Sequence, residues 1–202
     1  DYWKDRMEMY IHGRYSFVDA DVKQWVDWGI DYLKYDWSPN DLHYTQEMHD
    51  ALRKCGRDIV YSISNNAPYA DAPLWMELCH CWRTTGDIRD TWKSMSAIGF
   101  AHDRWMPFTG PGHWADPDML VVGMVGWGPK LHYTKLTADE QYTHISLWSL
   151  LASPMLIGCD IAQMDDFTVS LLTNDEVNDV NQDPLGIQSY PVWQEGEQVI
   201  YA

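Results

Sequence analysis

The feature that most constrains this chain is the regular alternation of short, apolar, β-prone runs with stretches of helical periodicity. Asp31-Tyr32-Leu33-Lys34-Tyr35-Asp36, Ile59-Val60-Tyr61-Ser62-Ile63-Ser64, Cys81-Trp82-Arg83-Thr84-Thr85 and Pro154-Met155-Leu156-Ile157-Gly158-Cys159-Asp160 read as strands, each closed by turn-forming or polar residues. Between them, Val18, Val22, Trp25 and Val26 recur at helical spacing up to Gly29. A second helix is expected from Asn40 or Asp41 to about Cys55, and another around Ala72 to Leu78. Asp90 is placed to cap a helix over Thr91–Gly99, and Thr137-Ala138-Asp139-Glu140 is a capping-box pattern opening a long helix. Shorter helices are expected over 161–172 and 174–180. Strands too apolar to face water on either side, alternating with helices, indicate an α/β fold with a parallel sheet covered by helices.

An open doubly wound sheet and a closed barrel both satisfy that alternation. Two observations favour a (β/α)8 TIM barrel. Asp36, Ser64, Arg83, Asp87, Asp118 and Asp160 fall at or just beyond strand C-termini on five different strands, and barrel sites are assembled in that way. No Gly-x-Gly-x-x-Gly or P-loop pattern stands at any strand–helix turn, as a nucleotide-binding open sheet would require. About five or six strands are expected, so the chain reads as the C-terminal portion of such a barrel, with its first strands upstream. The boundaries expected are residues 1–191 for the partial barrel and 192–202 for the start of a C-terminal antiparallel β-domain, with Gln198-Val199-Ile200-Tyr201 as a strand.

Composition narrows the partners. The 202 residues carry a formal charge of −16, so phosphate backbones and anionic lipid surfaces would be repelled. No run of about eighteen apolar residues is present, so no transmembrane helix is expected. Twelve Trp and twelve Tyr serve either as packing or as flat faces that stack on the apolar side of a pyranose. The four cysteines permit disulfides without compelling them, and the Cys79-His80-Cys81 spacing suits neither a zinc knuckle nor a redox motif.

Chemistry is best sought among the strand-end carboxylates. Asp116, Asp118 and His113 are close in sequence, but Pro117 restricts them and no His-x-His or His-Glu-x-x-His pattern accompanies them, so no metal or other cofactor is expected. The Gly-x-Ser-x-Gly elbow of a serine hydrolase is absent. A glycosidase needs one ionised carboxylate and one protonated carboxyl. Asp36 suits the nucleophile, because Lys34 lies two residues earlier on the same strand face and favours its ionised form. Asp87 suits the acid/base, since it follows Gly86 on a turn. Arg83 could clamp a hydroxyl or orient a carboxylate. The plainer readings are helix capping for the two aspartates and an ion pair for Arg83.

Tyr32-Leu33-Lys34-Tyr35-Asp36, Trp82-Arg83-Thr84-Thr85-Gly86-Asp87-Ile88 with Trp92, Gly110-Pro111-Gly112-His113-Trp114-Ala115-Asp116-Pro117-Asp118-Met119-Leu120, Leu156-Ile157-Gly158-Cys159-Asp160 and Asn181-Gln182-Asp183-Pro184-Leu185-Gly186 together resemble the α-galactosidase/melibiase family, glycoside hydrolase family 27. The resemblance runs from about residue 18 to residue 193. It implies a (β/α)8 barrel followed by an antiparallel β-domain, and retaining hydrolysis of terminal α-galactosides through a covalent glycosyl-enzyme intermediate. It implies Asp36 as nucleophile and Asp87 as acid/base, about 5–5.5 Å apart for retention. Lys34, Arg83 and Asp118 match sugar-binding positions; Trp37 and Ser64 are further substrate-site candidates.

The chain departs from the family pattern in places. Trp37 and Ser38 stand where Asn or Gly, then Cys, often follow the nucleophile, which removes one usual disulfide; Ile63 cannot form a second one to the Cys79–Cys81 region. His113 and Ala115 replace Gly and Asn of the common Gly-Trp-Asn-Asp-Pro-Asp version. Ser64 is aligned with a position often held by Glu near the sugar 2-position, with Asn65-Asn66 able to refill the space. An α-N-acetylgalactosaminidase or a β-L-arabinopyranosidase is therefore the alternative within the family; a non-catalytic sugar-binding barrel or a metal-dependent sugar enzyme is the alternative outside it. The resemblance also implies a secreted, periplasmic or lysosomal-type compartment and a carbohydrate substrate; the net negative charge argues against nucleic-acid or membrane partners. It leaves the oligomeric state open.

Overall fold

The computed structural model describes residues 16–36, 41–126, 130–196 and 198–202. The chain divides into two compact units, one ending at Thr84 and the other beginning at Thr85.

The first unit repeats a helix-then-strand pattern. Helix α1 (Val18–Trp28) ends on Gly29 at φ 74°, whose N–H returns to Trp25 and Val26 carbonyls. That left-handed residue is inexpensive only for glycine. The Arg57 side chain then donates to the carbonyls of Gly29 and Ile30 and pairs with Asp31, fixing the entry into strand β1 (Tyr32–Tyr35). Asp41 caps helix α2 (Leu42–Lys54) by accepting from the His43 and Tyr44 amides. Met48, Ala51 and Leu52 form the buried stripe of α2. Strand β2 (Val60–Ile63), helix α3 (Ala72–Leu78) and strand β3 (Cys81–Arg83) follow.

The three strands pair in parallel in the order β1-β2-β3. Lys34 lies opposite Ser62 and Tyr35 opposite Ile63, while Ile63 lies opposite Trp82. Trp75, Trp82, Tyr61 and Ile63 are almost wholly enclosed. The α/β character and the parallel sheet expected from the sequence are present here.

The second unit is built around Leu120, Val121, Val122, Val125, Trp148 and Leu151, with Ile88, Met95 and Leu171 against them. Helix α4 (Trp92–Gly99) is capped by Thr91, whose hydroxyl accepts from the Ser94 amide. Asp90 was the expected cap, but its carboxylate is drawn away to the Lys135 amide and ammonium and to His132. Strand β4 (Trp114–Asp116), the short antiparallel pair β5 (Met124–Val125) and β6 (His132–Tyr133), and helix α5 (Ala138–Leu150) come next. Thr137 and Glu140 form the reciprocal capping box foreseen for α5.

The expected strand over 154–160 is reduced to one parallel bridge, Leu120 to Ile157. The backbone explains this: Asp118 at φ 94° and Gly123 at φ 66° turn the partner segment on both sides, leaving few extended residues to pair. The region expected as one helix over 161–172 is a 3-10 turn (Ile161–Gln163) and helix α6 (Asp166–Leu172), followed by α7 (Asp175–Asn181). Strands β7 (Pro191–Glu195) and β8 (Gln198–Tyr201) form an antiparallel hairpin.

All four cysteines are free thiols; Cys79 and Cys81 are buried. Among the described residues no helix is long and apolar enough to cross a membrane, and no three His, Cys, Asp or Glu side chains gather as a metal-holding group. Much of the Trp complement is packing, with Trp75, Trp82, Trp105 and Trp148 fully enclosed, while Trp28, Trp92 and Trp193 are exposed.

Candidate active site

The residues singled out from the sequence divide between the units. Lys34, Asp36, Ser64 and Arg83 lie in the first, Asp87 and Asp118 in the second. Trp37 and Ser38 lie outside the described residues.

In the first unit the site follows directly from sheet register. Asp36 leaves the C-terminal end of β1 just as Ser64 leaves β2, and the Ser64 amide extends the ladder by donating to the Tyr35 carbonyl at 3.1 Å. The Ser64 hydroxyl donates to Asp36 Oδ1 at 2.8 Å. Asn65 Nδ2 donates to the same oxygen at 2.8 Å, and its Oδ1 accepts from the buried Arg83 guanidinium at 2.9 Å. Asn65 and Asn66 both have positive φ, 69° and 50°. Asn is among the few side chains that tolerate that region, and this left-handed turn folds the Asn65 amide back over the end of β1. Asp36 Oδ2 accepts no hydrogen bond from any described residue.

These contacts hold the Asp36 carboxyl below the ordinary carboxylate range. The Ser64 hydrogen bond is the largest cause, the Asn65 bond the next, and the charges of Lys34 and Arg83 add to them against the opposing effect of burial. The sequence pointed to Lys34 as the group keeping Asp36 ionised; the structure gives the larger share to two neutral donors. Ser64, a substrate-site candidate from the sequence, also bonds the carboxylate itself. From the sequence Asn65 stands out only as a filler of space, since its link between Arg83 and Asp36 depends on two consecutive left-handed residues that composition does not announce.

In the second unit Asp87 is exposed, while Ile88 and Asp90 on its far side are buried. The Ile88 amide donates to Asp118 Oδ2 at 2.9 Å. Asp118 is 3% exposed and sits at φ 94°, and its other carboxylate oxygen accepts from the Met119 amide at 2.8 Å. Its own amide donates to Asp116 Oδ1 and its carbonyl accepts from Trp148 Nε1, both at 2.8 Å. Asp160, the other strand-end carboxylate, caps the 3-10 turn by accepting from the Ala162 amide and Gln163 Nε2.

The chain is an α/β protein in which the parallel strands β1, β2 and β3 deliver polar and carboxylate side chains to their C-terminal ends. Comparison with known proteins then gives the family. The melibiase family model described as alpha galactosidase A matches residues 5–183. Alpha-galactosidase 2 of Arabidopsis thaliana is 42% identical over 194 residues, covering 94% of this chain and 47% of the relative. The alpha-N-acetylgalactosaminidase of Gallus gallus is 34% identical over 196 residues, covering 90% of this chain and 46% of the relative. Among solved structures, a GH27 β-L-arabinopyranosidase variant from Geobacillus stearothermophilus in complex with arabinose superposes with a TM-score of 0.85 at 31% identity, covering 92% of this chain and 45% of that one. The chain therefore belongs to the α-galactosidase/melibiase family, glycoside hydrolase family 27. It spans about half the length of the curated relatives it matches.

Proposed function

We propose that this chain carries the catalytic groups of a retaining exo-glycosidase that removes terminal α-D-galactosyl residues from oligosaccharides, polysaccharides or glycoconjugates. The observation that carries the reading is Asp36: a strand-end carboxylate kept ionised by Ser64 and Asn65 on Oδ1, with Oδ2 left unengaged by the described residues. In the proposed reaction Oδ2 attacks the anomeric carbon while the glycosidic C–O bond breaks. Asp87 gives its proton to the departing oxygen, and the sugar is left esterified to Asp36. A water then yields its proton to the Asp87 carboxylate and attacks the same carbon, and the ester bond breaks to restore Asp36. Two displacements give retention. Lys34 and Arg83 supply positive charge beside the nucleophile, and Trp37 and Ser64 complete the proposed sugar surround.

The fold proposed for the whole is a (β/α)8 barrel, with the hairpin β7–β8 as the beginning of a C-terminal β-domain from about Val192. A secreted, periplasmic or lysosomal-type setting fits that activity. Relatives named as an α-N-acetylgalactosaminidase and as a β-L-arabinopyranosidase make those two sugars the alternatives to test. The experiment is a panel of matched aryl α-galactoside, α-N-acetylgalactosaminide and β-L-arabinopyranoside, with the first-formed anomer followed by proton NMR. Fastest turnover of the α-galactoside with release of the α-anomer supports the reading. Preference for another sugar replaces the substrate, and release of the β-anomer from the galactoside overturns the mechanism.

A further inference from the structure

We infer that Asp118 is a positioning residue for the proposed acid/base Asp87, rather than a side chain that holds the sugar; this rests on the reading of Asp87 as the proton donor. All four polar groups of Asp118 are engaged: its amide by Asp116, its carbonyl by Trp148, and its two carboxylate oxygens by the amides of Ile88 and Met119. A non-glycine residue at φ 94° is strained, and such a conformation persists only where the surroundings over-determine it. Here the strain turns the carboxylate so that it accepts its own neighbour's amide and the amide of Ile88, thirty positions earlier in the chain.

The consequence falls on Asp87. Ile88, the next residue, is fully buried and pinned through its N–H, and Asp90 is pinned two residues later by His132 at 2.9 Å and the Lys135 amide at 3.2 Å. The exposed Asp87 thus emerges from a segment whose far side is held at two points. A proton donor works only when its carboxyl is held within hydrogen-bond reach of the departing oxygen, and small displacements are costly. The chemistry of the Asp118 side chain suits this role, because two separate amides demand two acceptor oxygens. Asn has one acceptor and one donor, so it satisfies only one of the two amides.

The test is the dependence of kcat/KM on leaving group in Asp118→Asn and Asp87→Ala. A 2,4-dinitrophenyl galactoside needs little protonation of its leaving group, whereas an alkyl galactoside needs it fully. Asp118→Asn should lower kcat/KM for the alkyl substrate at least about tenfold and for the dinitrophenyl substrate less than about threefold, mostly in kcat. Equal losses on both substrates, or a loss confined to KM, would overturn the positioning role and return Asp118 to sugar binding or plain structure. Asp87→Ala separates the two claims: if it shows no leaving-group dependence, the acid/base reading itself fails; if it does and Asp118→Asn does not, only the positioning role fails. Should Asp118→Asn not fold, amide hydrogen exchange in the unaltered protein decides. Strong protection of the Ile88 amide supports the clamp, and exchange at the rate of an exposed loop amide overturns it.

Discussion

Acidification should weaken the second unit through His144. This side chain is fully buried on α5 and stands edge-on to Trp148, with ring centroids 4.2 Å apart. Its Nε2 accepts the Val121 amide at 3.1 Å, so the neutral ring carries its proton on Nδ1. A second proton would have to enter at Nε2, facing an N–H that already points there, in an apolar core. Burial accordingly pushes its pKa down to about 3, and burial pushes His102 down to about 4. For a histidine held neutral in the fold, the unfolded chain takes up the proton first, so stability is complete above the unfolded pKa near 6.5 and falls as pH drops below it. Each group costs about 1.4 kcal/mol per pH unit in that window. Down to pH 3 the His144 contribution sums to about 5 kcal/mol, and that of His102 down to pH 4 to about 3 kcal/mol. The perturbation is His144→Gln, which cannot titrate. Urea unfolding at several pH values between 6.5 and 4.5, read by near-UV circular dichroism, gives the slope. The variant should be less stable at pH 7 yet lose about 1.4 kcal/mol less per pH unit than the parent. Equal slopes for parent and variant would show that the fold does not hold His144 neutral, whatever the baseline stability.

Two further outcomes follow from local geometry. Ser64→Ala removes the strongest of the groups that depress the Asp36 carboxyl, so the titration midpoint of Asp36 followed by carboxyl carbon NMR should rise. Because its folded value is lowered, ionised Asp36 contributes stability that is present above the unfolded carboxylate range and lost as pH falls through the folded value; without Ser64 the remaining contribution from Asn65, Lys34 and Arg83 should be smaller and lost at a higher pH, and an unmoved midpoint would contradict the assignment. Gly158→Ala would place a methyl 2.7 Å from the Leu120 carbonyl oxygen and 2.6 Å from the Met119 sulfur, where the backbone cannot yield cheaply. A loss of about 1–3 kcal/mol in denaturant unfolding is expected, and unchanged stability would show that the Leu120–Ile157 bridge is looser than drawn.

Much of the first unit was legible because its signals are local. Helical spacing up to Gly29, the Asp41 cap and the apolar runs of β1, β2 and β3 depend on neighbours in sequence, and the elements stand where those signals place them. Asp36 was legible for the same reason, since a carboxylate at the end of an apolar run can only emerge at a strand end. What failed to read out depends on backbone turns and distant partners. The Pro154–Asp160 run has the composition of a strand, but its partner is bent at Asp118 and Gly123, so only one bridge forms. Asp90 looks like a helix cap from its position before Thr91, yet Lys135 and His132, over forty residues later, take its carboxylate. The hydrogen bonds of Asn65 and Asp118 arise from positive φ values that no spacing rule shows.

The most direct test of the central claim is covalent trapping of the nucleophile. The protein should be treated with a galactose-configured cyclophellitol aziridine, digested, and its peptides sequenced by mass spectrometry. One equivalent of label should be bound as an ester to Asp36, blocked by excess galactose and absent in Asp36→Ala. Label on any other carboxylate, or undiminished labelling of Asp36→Ala, would contradict that claim.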